Sequence, residues 1–214
     1  MLSTNYTSEN ICRALGLGGF ANDWQLAESD ECIRVLLKPS FHREVCISVL
    51  SKGEKVSVVV IAALFQIWLQ DWPIPRLTKV EQDAGILSGL QFSRLTSLLK
   101  SAAEPKQQAG FFVIDGMPAH TVLRADREGK LSIDKNVGSE ASYKSFIAEV
   151  ITQAHGAIDS PGIRNALADA GNYVGLRIPC EVTPPAKDTI RTFVFGEPEQ
   201  TSQLLEALRK QSEA

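Results

Sequence analysis

Residues 32–61 read CIRVLLKPSFHREVCISVLSKGEKVSVVVI, and this stretch decides the fold. Ile33, Val35 and Leu37 alternate with Cys32, Arg34 and Leu36; Val45, Ile47 and Val49 alternate with Glu44, Cys46 and Ser48. A period of two sends every second side chain to one face, so each run is expected as a strand with a buried face. Between them, Pro39-Ser40-Phe41-His42-Arg43 reads as a hairpin loop, and Ser51-Lys52-Gly53-Glu54 as the next turn. Val56 to Ile61 is largely apolar at both parities, the pattern of a strand covered on both sides.

Upstream, Ser8 to Leu15 is expected as a short helix ended by Gly16, Gly18 and Gly19. A phosphate-binding loop needs a strand before its glycines and a helix after them. Here the helix comes first, so Gly16-Leu17-Gly18-Gly19-Phe20 reads as a helix C-terminus. Downstream, the prolines make Asp71-Trp72-Pro73-Ile74-Pro75 extended. A polar strand is expected over Thr78 to Ala84. Ser88 then opens a helix with the apolar stripe Phe92, Leu95, Leu98, Leu99 and Ala102. Phe111 to Ile114 reads as a strand, Asp115-Gly116 as a turn, and Thr121 to Arg124 with Leu131 to Ile133 as a hairpin. Tyr143, Phe146, Ile147, Val150, Ile151 and Ala154 define the next helix face. Pro161 starts a helix running to Ala170. Val174 to Val182 and Thr189 to Phe195 read as strands, and a last helix with Leu204, Leu205 and Leu208 inward begins near Pro198. Strand groups built from hairpins, each followed by an amphipathic helix, give an α+β fold with antiparallel sheet. Residues 1–157 are expected as the main domain. Residues 158–214 are expected as a strand-strand-helix unit that stands apart or completes the same domain.

The 214 residues, 44% hydrophobic and 22% charged, can bury a core that needs no disulfide or metal. A net charge of −3 lacks the basic excess of a dedicated nucleic-acid binder, and none is expected as partner. Charge is segregated along the chain. Glu9, Asp23, Glu28, Asp30 and Glu31 face only Arg13 within residues 1–31, whereas bases exceed acids across residues 32–80. These are either two solvated faces of opposite sign or an acidic segment lying over the basic strands.

Cys12, Cys32, Cys46 and Cys180 form no CxxC pair and have no histidine at zinc-ligand spacing, so reduced thiols and no metal site are expected. Cys32 and Cys46 share a face with Arg34 and Ser48, but a loop closing near Phe41 offsets them, which argues against a disulfide. No basic, then apolar, leader opens the chain. The apolar run Val56 to Leu69 falls short of the ~20 residues that cross a bilayer. A cytoplasmic protein without a membrane partner is the expectation.

No GxxxxGK[ST], GxSxG, HExxH or EF-hand pattern occurs, and no cofactor is expected. A hydrolytic site could pair Asp115 and His120 as acid and base, with Arg124 clamping an anion. Their proximity in sequence is its whole support, and side chains decorating a solvated hairpin are the expectation. His155, at a helix C-terminus, suits the dipole there. Trp68 and Trp72 bracket a stiff loop and either cap the core or anchor an interface.

Cys32-Ile33-Arg34-Val35-Leu36-Leu37-Lys38-Pro39-Ser40-Phe41-His42, followed by strand, turn and strand, resembles the opening of a broad group of uncharacterised bacterial proteins. Ile114-Asp115-Gly116, followed by a hairpin and an amphipathic helix, extends the resemblance over residues 31–155. Pro39 and Phe41 fit that group; Ile33 stands where it has an aromatic, and Met117-Pro118 departs from it. The resemblance carries no function; it implies a bacterial cytoplasmic protein with an accessory or immunity-type binding role. The reading that follows is a non-enzymatic interaction protein, binding a protein partner or itself through Trp72, Arg43 and His42. A hydrolase centred on Asp115, His120 and Arg124 is the alternative.

Overall fold

Three strands joined by tight connections, β1 (Glu31–Leu37), β2 (Val45–Lys52) and β3 (Lys55–Ala63), form the middle of a six-stranded antiparallel sheet in the computed structural model. Residues 6–21, 24–67, 78–104, 116–125 and 129–180 are described. Ahead of β1 come α1 (Ser8–Ala14) and the single turn α2 (Trp24–Ala27). Then follow β4 (Val80–Leu87), α3 (Gly89–Ala103), β5 (Pro118–Ala125), β6 (Gly129–Asn136), α4 (Ala141–Ala157) and α5 (Pro161–Tyr173). The strand order is β4-β3-β2-β1-β5-β6. The α+β architecture expected from hairpins and amphipathic helices is the one observed.

The register explains the alternation. Ile33 opposes Val49, Val35 opposes Ile47 and Leu37 opposes Val45, and all six are buried on one face. There they meet the apolar stripes of α3 (Phe92, Leu95, Leu99), α4 (Phe146, Val150, Ile151) and α5 (Ile163, Leu167) in the main core. Each fully buried Leu, Ile or Phe contributes about 1.5–3 kcal/mol relative to exposure. The helices start where the sequence satisfies their free amides. Ser88 and Gln91 form a reciprocal capping box on α3, with Gln91 N–H donating to Ser88 Oγ at 3.2 Å and Ser88 N–H to Gln91 Oε1 at 2.8 Å. Ser160 caps α5 ahead of Pro161.

The other parity of the strands forms a second, smaller core. Leu36, Cys46, Ile61, Ala63 and Val122 pack there under Ile11, Cys12, Leu15, Leu17 and Phe20. Gly16 follows α1 with φ +84°, and Gly16 and Leu17 N–H return to the carbonyls of Arg13 and Cys12 at 3.0 and 2.9 Å. This is the helix C-terminus expected from the glycines, in the left-handed conformation that favours glycine. It turns the chain back across the sheet.

Two elements differ from their sequence expectation. β4 runs on to Leu87, past the expected end at Ala84. Gly85 lies beneath the Ala157 carbonyl, where any side chain would collide, so a residue that breaks the strand pattern is the one the packing requires. In the second, Val174 caps α5, and residues 176–180 carry no strand. Leu176 and Ile178 pack back against the main core instead. Trp68, Trp72, the strand expected at Phe111 to Ile114, and Asp115 lie outside the described residues. So do residues 181–214, with the strand at Thr189 to Phe195 and the final helix.

Candidate functional site

The loop between β1 and β2 holds two of the residues singled out from the sequence, and the structure pins it from three sides. Ser40 Oγ donates to the Gly116 carbonyl at 2.6 Å. The Phe41 amide donates to Tyr173 Oη at 3.2 Å, and that hydroxyl lies 3.1 Å from His42 Nδ1. His42 Nε2 lies 3.9 Å from the Asp169 carboxylate. Arg43 donates to the Gly162 carbonyl at 2.7 Å, and Gln66 Nε2 to the His42 carbonyl at 3.1 Å. Arg43 and His42 are thus both bonded to α5.

What these tethers hold outward is Phe41, whose side chain is 64% exposed. Leu64 and Phe65, beyond β3, are exposed at the same end of the sheet, next to Gln66. Exposed apolar side chains gathered at one end of a sheet make that end a candidate surface for binding. In the sequence, Phe41 marks a turn and fits the resemblance, with no binding role expected of it. An aromatic set among Ser40, His42 and Arg43 in a polar hairpin loop was the available signal.

Two charged side chains, Arg34 and Glu44, are fully buried. Arg34 is fully buried on β1 and donates to Ser48 Oγ at 2.9 Å and to the carbonyls of Gly19 and Phe20 at 2.9 and 3.4 Å. Glu44, also fully buried, accepts from Tyr6 Oη at 2.6 Å and from the Ile67 amide at 2.7 Å. Burial, reinforced by the Glu44 charge, drives the Tyr6 phenol far above its usual range, so it stays a donor. The N-terminal segment does lie over basic strands, as one reading of the charge pattern expected, but Arg34 takes backbone carbonyls there. Glu9 instead pairs with Arg13 at 3.1 Å and caps the Phe20 amide at 2.9 Å. Cys46 opposes Leu36 and Cys32 opposes Leu50, so these thiols are offset as expected. The neighbour of Cys46 is Cys12, and that hydrogen bond, with burial behind it, pushes the Cys12 thiol far up.

Of the candidate hydrolytic residues, His120 and Arg124 are described and stand apart. His120 and Arg124 lie on the same face of β5, four positions and so about 13 Å apart. His120 Nε2 shares a hydrogen bond with Ser132 Oγ at 2.9 Å, and its ring lies 4.0 Å from that of Phe20. Burial, outweighing the Asp134 carboxylate, lowers its pKa and keeps it neutral. Arg124 donates to the carbonyls of Leu26 and Ser29, closing the C-terminus of α2. Asp115 is outside the described residues. Among the described residues, no group of three or more His, Cys, Asp or Glu side chains is placed to hold a metal ion. Among them, too, no helix is long and apolar enough to cross a membrane.

Fold and site together define an α+β protein with a two-sided antiparallel sheet and an aromatic presented on a clamped loop. No family model matches the chain, and no curated protein or solved structure is significantly similar to it.

Proposed function

We propose that this is a non-enzymatic binding protein that docks a partner protein with the sheet end formed by residues 39–44 and 63–67. The observation that supports this reading is Phe41, exposed to water on a loop already ordered by Ser40, His42 and Arg43. An ordered loop loses little freedom on association, so most of the gain from burying the ring appears as affinity. Seating a phenyl ring in an apolar pocket contributes about 1.5–3 kcal/mol. The concrete form we put forward is an immunity or accessory protein of bacterial type, acting in the cytoplasm, where its cysteines stay reduced.

The test compares the wild-type chain with Phe41→Ala as bait in an extract of the native host. Stoichiometric recovery of one partner by the wild type, with binding weakened more than about tenfold in the variant, is the expected result. Equal recovery by both would refute the docking role of this loop.

A further inference from the structure

Where β2 turns into β3, Lys52 and Lys55 stand directly opposite each other across the Gly53-Glu54 turn. They share the parity of Leu50, Ser57 and Val59, so both rise on the sheet face away from α3, α4 and α5. Like charges at opposed positions destabilise a strand pair. Among the described residues, neither lysine is hydrogen-bonded or ion-paired, and the same is true of Glu28 just after α2. All three line one concavity of about 310 Å³ that also takes in Leu50, Ser57 and Val59. Glu54 belongs to the turn itself and does not line it. The segment carrying Glu28 is tied to the hairpin. The Asp30 amide donates to the Ser51 carbonyl at 2.9 Å, and Asp30 Oδ2 accepts from the Gly53 amide at 2.7 Å. Ser29 Oγ donates to the Leu26 carbonyl at 2.9 Å, fixing the end of α2.

We propose that this concavity binds a small zwitterion with an apolar body, an α-amino acid of the leucine kind. Its carboxylate sits between Lys52 and Lys55, its ammonium group meets Glu28, and its side chain lies on Leu50 and Val59. Charge selects the occupant. Opposite charges line one concavity here without pairing to each other, and a molecule carrying both signs satisfies all three groups. A simple anion would meet Glu28, and a simple cation would meet two lysines. The volume is at the lower limit of the roughly 300–1,000 Å³ of ligand pockets, a size for an amino acid rather than a nucleotide. The repulsion between the opposed lysines, a local cost to the sheet, is relieved when a carboxylate arrives, and such broken local rules gather at functional sites. The lysine turn and the Phe41 loop lie at opposite ends of β2 and β3, so failure of this proposal would leave the proposed function standing.

The test is a titration of the isotope-labelled full-length chain, read from its backbone amide resonances. L-leucine is expected to shift residues 28–30 and 50–59 saturably, with half-saturation below about 5 mM. Isoamylamine, which lacks the carboxylate, should shift none of them. Isocaproate, which lacks the ammonium group, should bind at least about threefold more weakly than leucine, and in Glu28→Gln that preference should vanish. The three charged side chains are exposed, so these variants should fold. The double variant Lys52→Gln/Lys55→Gln should bind leucine at least about fivefold more weakly, while its thermal unfolding midpoint stays level or rises because the opposed charges are gone. Three results would each overturn the proposal: no saturable shift up to about 20 mM leucine, equal binding of leucine and isocaproate by the wild type, or a double variant that binds leucine as the wild type does.

Discussion

Replacing Arg34 by methionine removes a buried donor that joins the N-terminal segment to the sheet while roughly keeping its volume. The guanidinium is fully buried and serves Ser48 Oγ and the carbonyls of Gly19 and Phe20. Gly19, Phe20 and Ser48 are themselves buried, so water cannot take its place without opening the segment. Each orphaned polar group costs about 1–3 kcal/mol. Against that sum stands the several kcal/mol no longer spent on desolvating a cation. The net expected loss is about 2–4 kcal/mol, and it should be local. Urea unfolding would give the global value, and native-state hydrogen exchange its location: amides in residues 8–20 should exchange far faster, while those of α3 and α4 fall only with global stability. A loss below about 1 kcal/mol with unchanged exchange at the N-terminus would refute the view that Arg34 holds this segment down.

Gly85→Ala drives a Cβ into the Ala157 carbonyl, backbone that cannot swing aside; thermal unfolding should show a loss of about 1–3 kcal/mol. Tyr143→Phe removes a hydroxyl that donates to the Ala119 carbonyl at 3.0 Å and shares a hydrogen bond with Thr121 Oγ1 at 2.9 Å. Unfolding in urea should detect about 1–2 kcal/mol of destabilisation, and the fold should persist. Asp83 accepts amide hydrogen bonds, chiefly from Ser160, that hold its carboxyl below the usual range. A depressed folded-state pKa adds stability that is present above the unfolded value of about 3.9 and lost as pH falls through the folded one. Stability measured from pH 6 down to pH 2 should therefore drop less steeply in Asp83→Asn than in the wild type.

The middle of the sheet was legible because Ile33, Val35, Leu37 and Val45, Ile47, Val49 fill the main core at every second position, although the other parity is buried too. The same signal misled at Val174 to Val182. Val174, Leu176 and Ile178 alternate correctly, but they pack back on the main core, and an apolar period cannot supply a strand partner. β4 was cut short for the opposite reason. Its pattern breaks at Gly85, which is dictated by the approach of α4 some seventy residues later in the chain. Arg34 could be assigned to the face of Cys32 and Cys46, but not to a buried site. That requires residues 16–20 to fold back, a contact no local pattern encodes. His42 and Arg43 were read as partner-facing from their loop position. Their attachment to Tyr173 and Gly162 depends on where α5 docks, which no local pattern in residues 39–44 encodes.

The most direct test of the docking account is a hydrogen-exchange footprint of the chain, free and bound to the partner it recovers from its host. Slowed exchange confined to residues 39–44 and 63–67 is the predicted outcome. Protection that leaves those two segments untouched and falls elsewhere on the described surface would contradict it.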